Sequence, residues 1–320
     1  MGRLLISRLG GSRQAQDFTK PANCSGLGRL RHFRRTASTQ GWPPNPLPID
    51  PAAKFLGLPP GAEVVSQVFQ NAACNWRCWY CFVPNELLEA REEFAAWMTA
   101  DELLDLYLAE PAAVRPSMID LTGGQPDLTP EWVLWMMQAI RRRGLEGRVF
   151  LWSDDNLSTD LFWRVLSEEQ VREVSSFRGY GRVACFKGFD EESFTFNTSA
   201  ASELYSQQFS LFDRMRRTGV DLYAYATLTA PTMTNIAERV RQFVDRLQTL
   251  HPNLPLRTVP LNIYPFGVVK ERISSVRRFA ALGNVPFDAQ TKAVAVWQDE
   301  LAKRFSSQQR TVPITDVTIT

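Results

Sequence analysis

The chain has 320 residues, 44% of them hydrophobic and 22% charged, a composition typical of a globular protein with a sizeable core. Its 36 basic and 34 acidic residues leave a net charge of +2, which argues against nucleic acid or a membrane surface as partner. No run approaches the roughly 18 apolar residues of a membrane span, and five cysteines without an apolar signal segment predict a reducing, cytoplasmic setting.

Residues 1–61 differ from the rest. Through Thr36 the bases Arg3, Arg8, Arg13, Lys20, Arg29, Arg31, Arg34 and Arg35 face one acid, Asp17, and residues 41–51 (GWPPNPLPIDP) read as a Pro-rich linker. A disordered or loosely attached leader is expected. A transit peptide for organellar import and a basic arm on an anionic partner remain open. Cys24 receives no role.

From Ala62 strands alternate with helices. Glu63–Gln70 (EVVSQVFQ) reads as a strand, and a cysteine-bearing loop follows at its C-terminal end. Thr99–Glu102 is a capping box opening a helix. Ser117–Thr122 is a second strand, ending at Gly123-Gly124-Gln125-Pro126. Thr129 is expected to cap the next helix, with Pro130 at its first position and Gly144 past its end. Arg148–Ser153 is a third strand running into Asp154-Asp155-Asn156. A helix over 158–174 leads to a fourth strand, Arg182–Phe186, ending at Lys187-Gly188. Helix 201–218 precedes strand Asp221–Thr229, helix 234–250 precedes strand Leu256–Tyr264, and a last helix covers about 288–305. Six such units predict parallel pairing by right-handed crossovers and fall short of the eight that close a full barrel. The fold class is therefore α/β: a partial (βα)6 TIM-like barrel over 62–270 with a helical extension over 271–320.

The stretch Asn71–Pro84 (NAACNWRCWYCFVP) places Cys74, Cys78 and Cys81 in a C-x3-C-x2-C pattern. Three thiolates fill three of the four positions of a cubane iron–sulfur cluster and leave one iron open. Structural zinc wants four ligands, usually as two separated pairs, and no histidine is nearby. A zinc knuckle remains the plainer alternative.

This spacing, with an aromatic residue before the final cysteine, resembles the signature of the radical S-adenosylmethionine (radical SAM) enzymes. Gly123-Gly124-Gln125-Pro126 resembles that family's GGEP motif, with Gln where Glu is usual, and its backbone there receives the methionine amino group. Asp154-Asp155-Asn156 is similar to the Asp-Thr-Asn of glycyl-radical-enzyme activases, near the ribose and methionine portions of the cofactor. Lys187 stands where those activases carry a strand-borne lysine, and Tyr80 where the family's backbone meets the adenine amino group. The resemblance implies one [4Fe-4S] cluster on Cys74, Cys78 and Cys81, with S-adenosylmethionine held by Tyr80, Gly123, Gly124, Gln125, Pro126, Asp154, Asn156 and Lys187. It also implies an electron donor of the ferredoxin or flavodoxin kind and a hydrogen-donating substrate, either a partner protein or a small molecule. Cys24 and Cys185 are too few for an all-cysteine second cluster, and Cys185 is expected to face core. An electron-transfer or sensing iron–sulfur protein is the non-enzymatic rival, with Cys185 as its fourth ligand. Asn262 and Tyr264 are placed where a substrate could meet them. Trp132 and Trp135 read as packing, and neither His32 nor His251 is placed for catalysis.

Overall fold

Nine strands occur in the computed structural model, which describes residues 2–35, 43–59 and 61–320. They are β1 (Leu4–Ser7), β2 (Gly28–Phe33), β3 (Val64–Gln70), β4 (Ala95–Met98), β5 (Met118–Thr122), β6 (Phe150–Asp155), β7 (Tyr180–Phe186), β8 (Leu222–Thr227) and β9 (Thr258–Leu261). Strands β3, β5, β6, β7, β8 and β9 lie parallel and in sequence order, joined by helix-bearing crossovers. These are the six expected strands. The α/β class and the partial TIM-like barrel follow from them.

Side chains alternate across this curved sheet, as the period of two demands. Ile119, Leu121, Leu151, Ala184, Phe186, Leu222, Ala224 and Ala226 face outward into the core shared with the helices. Met118, Phe150, Trp152, Val183, Tyr223 and Val259 face inward and pack with Leu47, Ile49 and Ala52. Those last residues belong to the stretch read as linker. Ile49–Leu56 is a helix, with Pro51 in the first turn where a missing N–H costs little. It plugs the N-terminal end of the barrel. The beginning of the Pro-rich stretch, residues 41 and 42, lies outside the described residues.

The expectation of a loose leader is therefore not met. β2 pairs antiparallel with β3 along its whole length, and β1 pairs with β4. Leu4, Ile6, Leu9 and Cys24 are buried. Four-residue strands and an arginine-rich one carry too little apolar pattern to register as structure, yet each apolar side chain buried is worth about 1.5–3 kcal/mol. The bases find partners: Arg13 with Glu86 at 3.1 Å, and Arg34 with Glu63 at 2.5 Å.

Helix boundaries differ in places. The helix expected over 158–174 is two, Leu161–Val165 and Glu168–Ser176, because Ser167 and Gln170 form a capping box that restarts it. Glu191–Thr198 is an additional helix opened by Asp190, whose weak apolar period gave no signal. Helix Glu131–Arg142 begins one residue after Pro130 and Thr129 makes no capping bond, although Gly144 does end it with φ +62°. The capping box of Thr99 and Glu102 forms as expected. The C-terminal extension holds helices Gly267–Ser275, Arg277–Ala280, Val285–Arg304 and Ser307–Arg310. No helix among the described residues is long and apolar enough to cross a membrane.

Deleting residues 1–35 strips β2 from the sheet and uncovers the β3 edge. The thermal midpoint of unfolding should fall by many degrees, or the protein should aggregate. An unchanged midpoint would restore the loose-leader reading.

Candidate active site

A cavity of about 840 Å³ opens at the C-terminal ends of the parallel strands. The residues singled out along the sequence converge on it. Cys74, Cys78, Cys81, Tyr80, Gly123, Gly124, Asp154, Asn156 and Lys187 all line its wall; Gln125 and Pro126 do not. Asn262 and Tyr264 line it as well. So does Cys185, which faces the cavity rather than core because residue 185 shares inward parity with Val183.

The cysteine loop is held from three sides. The Asn71 side chain accepts from Ala73 N–H (3.1 Å) and donates to the Gln125 carbonyl (2.9 Å). Trp79 turns away from the cavity, packs among Phe196, Phe279 and Phe287, and donates its indole N–H to Asn197 at 2.9 Å. Arg272, from the C-terminal extension, donates to the carbonyls of Cys78 (3.2 Å), Trp79 (3.1 Å), Cys81 (2.5 Å) and Val83 (3.1 Å). Asn156 Nδ2 reaches Cys74 Sγ at 3.6 Å. Burial pushes the Cys78 thiol up to about 12, so metal binding there must release a proton.

The donor set fits a cluster better than one ion. Tetrahedral zinc draws its sulfurs to about 3.8 Å apart, given its ligand distance. Among the described residues no group of three or more His, Cys, Asp or Glu side chains is arranged to hold a single metal ion. In a cubane each thiolate takes a different iron, so three sulfurs spread around one cavity suit it.

Gly124 explains the double glycine. A Cβ there would sit 2.2 Å from the Ala73 carbonyl oxygen, at φ +63°. This close approach lets Gln125 N–H donate to that oxygen at 2.7 Å, tying the turn to the cysteine loop. Gln125 is fully buried and points the other way. Its amide donates to Asp155 (2.8 Å), and its carbonyl accepts from Asn156 N–H (2.8 Å). Asp155 and Asp127 both pair with Arg182, and all three are buried. A glutamate at 125 could not donate to Asp155 unless protonated, and it would add a third carboxylate to one guanidinium. Gln therefore fits this surrounding where the motif's Glu would not.

Lys187 is buried, faces the Tyr80 ring at 5.9 Å, and has no carboxylate within ion-pair distance among the described residues. Burial works against its charge, but Tyr80, Cys185, Cys78 and Cys74, once ionised, hold it well above the ordinary lysine value. Two amides missed along the sequence organise this region. Asn197 donates to the carbonyls of Lys187 (2.9 Å) and Thr229 (3.1 Å), and Gln208 to those of Asn156 and Cys185, both at 2.9 Å. Each lies in a helix with no motif around it; only its burial marks it out.

Below the thiols lies a second polar layer. Asp154 accepts from Thr122 Oγ1 and from Trp152 Nε1 (3.2 Å). Asp120 is buried and neither carboxyl oxygen has a hydrogen-bond partner. Burial, then Asp154, pushes its carboxyl up to about 8, against the pull of Arg31 and Arg29.

No protein-family model matches the chain, and no curated protein does. Among solved structures it is similar to Streptococcus suis SuiB bound to precursor peptide SuiA, at 15% identity and TM-score 0.41, over 57% of this chain and 36% of that one. It is similar to anSMEcpe with bound AdoMet, at 15% identity and TM-score 0.43, over 62% and 50%. It is also similar to the cobalamin-dependent S-adenosylmethionine radical enzyme OxsB, at 9% identity and TM-score 0.40, over 66% and 30%. The chain thus spans half or less of the length of each of these.

Two outcomes are expected. Gln125→Glu should cost about 2–4 kcal/mol in denaturant unfolding, from the lost donor and the added buried carboxylate; a neutral result would remove the explanation for Gln. Asp120 in the folded chain keeps its proton up to about 8, whereas unfolded it ionises near about 4. Folding stability contributed at low pH is thus lost as pH rises through that window. Asp120→Asn should therefore exceed wild type in thermal midpoint by more at pH 8 than at pH 5, and an equal margin would contradict the shift.

Proposed function

We propose that this chain is a radical SAM enzyme, with one [4Fe-4S] cluster on Cys74, Cys78 and Cys81 and S-adenosylmethionine beside it. The observation that carries the reading is convergence. Residues that the family resemblance assigns to the site, spread over four separate loops and strand ends, line one cavity where parallel strands end. A cluster held by Cys74, Cys78 and Cys81 would supply the single electron for reductive cleavage of bound S-adenosylmethionine, and so the means of hydrogen abstraction from a substrate.

The chain's own groups have distinct tasks. Gly123 and Gly124 offer bare backbone to the methionine amino group. Lys187 offers the buried cation for the methionine carboxylate. Asn156, held by Gln125 and Gln208 at its backbone, offers donors and acceptors to ribose hydroxyls. Tyr80 contributes its backbone to adenine while its hydroxyl is fixed on Thr227 at 3.1 Å. Gln290, Thr291 and Val294 of helix Val285–Arg304 supply a further wall of the cavity. A wall of this kind over the barrel mouth favours a small-molecule substrate over the glycine loop of a partner protein. A ferredoxin- or flavodoxin-type donor completes the scheme.

One observation keeps the electron-transfer reading in play: Cys185 shares the cavity. The two are separated by anaerobic reconstitution with iron and sulfide, dithionite reduction and addition of S-adenosylmethionine. The enzyme forms 5′-deoxyadenosine, loses that activity in Cys78→Ala, and keeps its cluster absorbance in Cys185→Ala. A cluster lost with Cys185 and no cofactor cleavage would establish electron transfer instead; a colourless, zinc-loaded protein would sink both.

A further inference from the structure

The lower chamber of the cavity carries a carboxyl and a guanidinium that have no hydrogen-bond or ion-pair partner among the described residues. Asp120 stands on β5 with inward parity, between Met118 in the apolar plug and Thr122 at the rim. Both of its carboxyl oxygens are buried and without a hydrogen-bond partner. Unsatisfied buried acceptors of this kind are uncommon, because each costs the desolvation of the group. Arg31, on β2, lines the same chamber with its guanidinium stacked 4.4 Å from the Phe33 ring centroid, and it neither bonds nor pairs with any described residue. Stacking fixes the plane of an arginine and leaves its edge donors for a planar anion. The two groups feel each other's field but do not meet. Two more charges face Asp120: Asp154 from β6 and Arg29 from β2. Asp154 is already engaged by Thr122 and Trp152.

Arg31 and Asp120 line one cavity and are not joined to each other. Keeping them apart leaves room for a molecule with complementary ends. We propose that this chamber binds a small aliphatic zwitterion of the amino-acid class, its carboxylate on Arg31 and its protonated amine on Asp120, which releases its proton to solvent as the amine binds. Its carbon chain then spans the space below Lys187 and the cysteine loop, flanked by Trp152, Tyr225 and Cys185. As a substrate site this rests on the radical SAM reading; as a binding site it does not. Lys187, a buried cation on the same cavity, is left for the cofactor's carboxylate.

The test uses the full chain and defined probes: the twenty proteinogenic L-amino acids, with β-alanine and 4-aminobutyrate extending the charge separation. Each is titrated calorimetrically against wild type, Asp120→Asn and Arg31→Gln. At least one probe should bind wild type, and both variants, folded by their thermal midpoints, should weaken it about thirtyfold or more, as loss of one member of a desolvated charge pair does. Methylamine and acetate, each carrying one end, should bind far less well than the zwitterion. Absence of binding by every probe would overturn the proposal. So would binding unchanged in the variants, or an amine alone binding as well as its amino acid. If Asp120→Asn does not fold, Arg31→Gln decides alone. The 5′-deoxyadenosine assay separates this proposal from the one it extends: cleavage without probe binding removes the zwitterion site, and probe binding without cleavage removes the enzyme class.

Discussion

A turn that must touch the cysteine loop on one side and the end of β6 on the other can carry no side chain at its point of contact. That constraint falls on Gly124, where the Ala73 carbonyl leaves no space for a Cβ. Gln125 completes the joint. Its backbone N–H holds Ala73, its carbonyl receives Asn71, and its side chain holds Asp155 and Asn156. One residue therefore locks three successive strand ends together, and the site walls descend from those ends. An amide can donate to a buried carboxylate through its nitrogen and accept from a backbone N–H through its oxygen, reaching two strand ends at once. The buried Arg182 beneath is shared by Asp127 and Asp155, so the joint already sets two acids against one base and has no place for a third carboxylate.

The period of two then sorts chemistry by depth. Reading up each strand on its inward face, the residues pass from apolar plug to polar layer to site rim. β5 gives Met118, Asp120, Thr122; β7 gives Val183, Cys185, Lys187; β8 gives Tyr223, Tyr225, Thr227. A shift of one residue in any strand would turn these groups into the helix layer and the outward apolar set into the cavity. Register is thus what makes a set of scattered residues into one site, and the outward core of Leu, Ile, Phe and Ala is what fixes register.

This sorting also explains what could be read from the sequence. The six parallel strands were legible because each is a run of apolar residues long enough to stand out, and the cysteines because their spacing is rare. The parity of Cys185 was legible too, since Lys187 two residues on was assigned to the site, but a lone thiol beside Ala and Phe reads as core. Asn197, Gln208 and Arg272 were not legible: their partners are backbone carbonyls 10 to 194 positions away, which leave no trace in local pattern. The N-terminal segment misled because its contribution lies in short pairing partners rather than in periodicity. Arginine-rich β2 looks like a solvated tail until β3 supplies the other half of its ladder.

Both ends of the chain compensate for the barrel's incompleteness. Six parallel strands leave an open sheet whose edges, β2 and β9, do not meet, and an open barrel cannot by itself shield a reactive site. The N-terminal segment supplies the floor through helix Ile49–Leu56 and part of the wall through Arg31 and Phe33. The C-terminal extension supplies the opposite wall through helix Val285–Arg304, and Arg272 gathers four carbonyls of the cysteine loop from behind. Carbonyls drawn toward a guanidinium on the outer side point away from the cavity, which leaves the inner face of the loop to its sulfurs. The segments that look least like the barrel are thus the ones that enclose its chemistry.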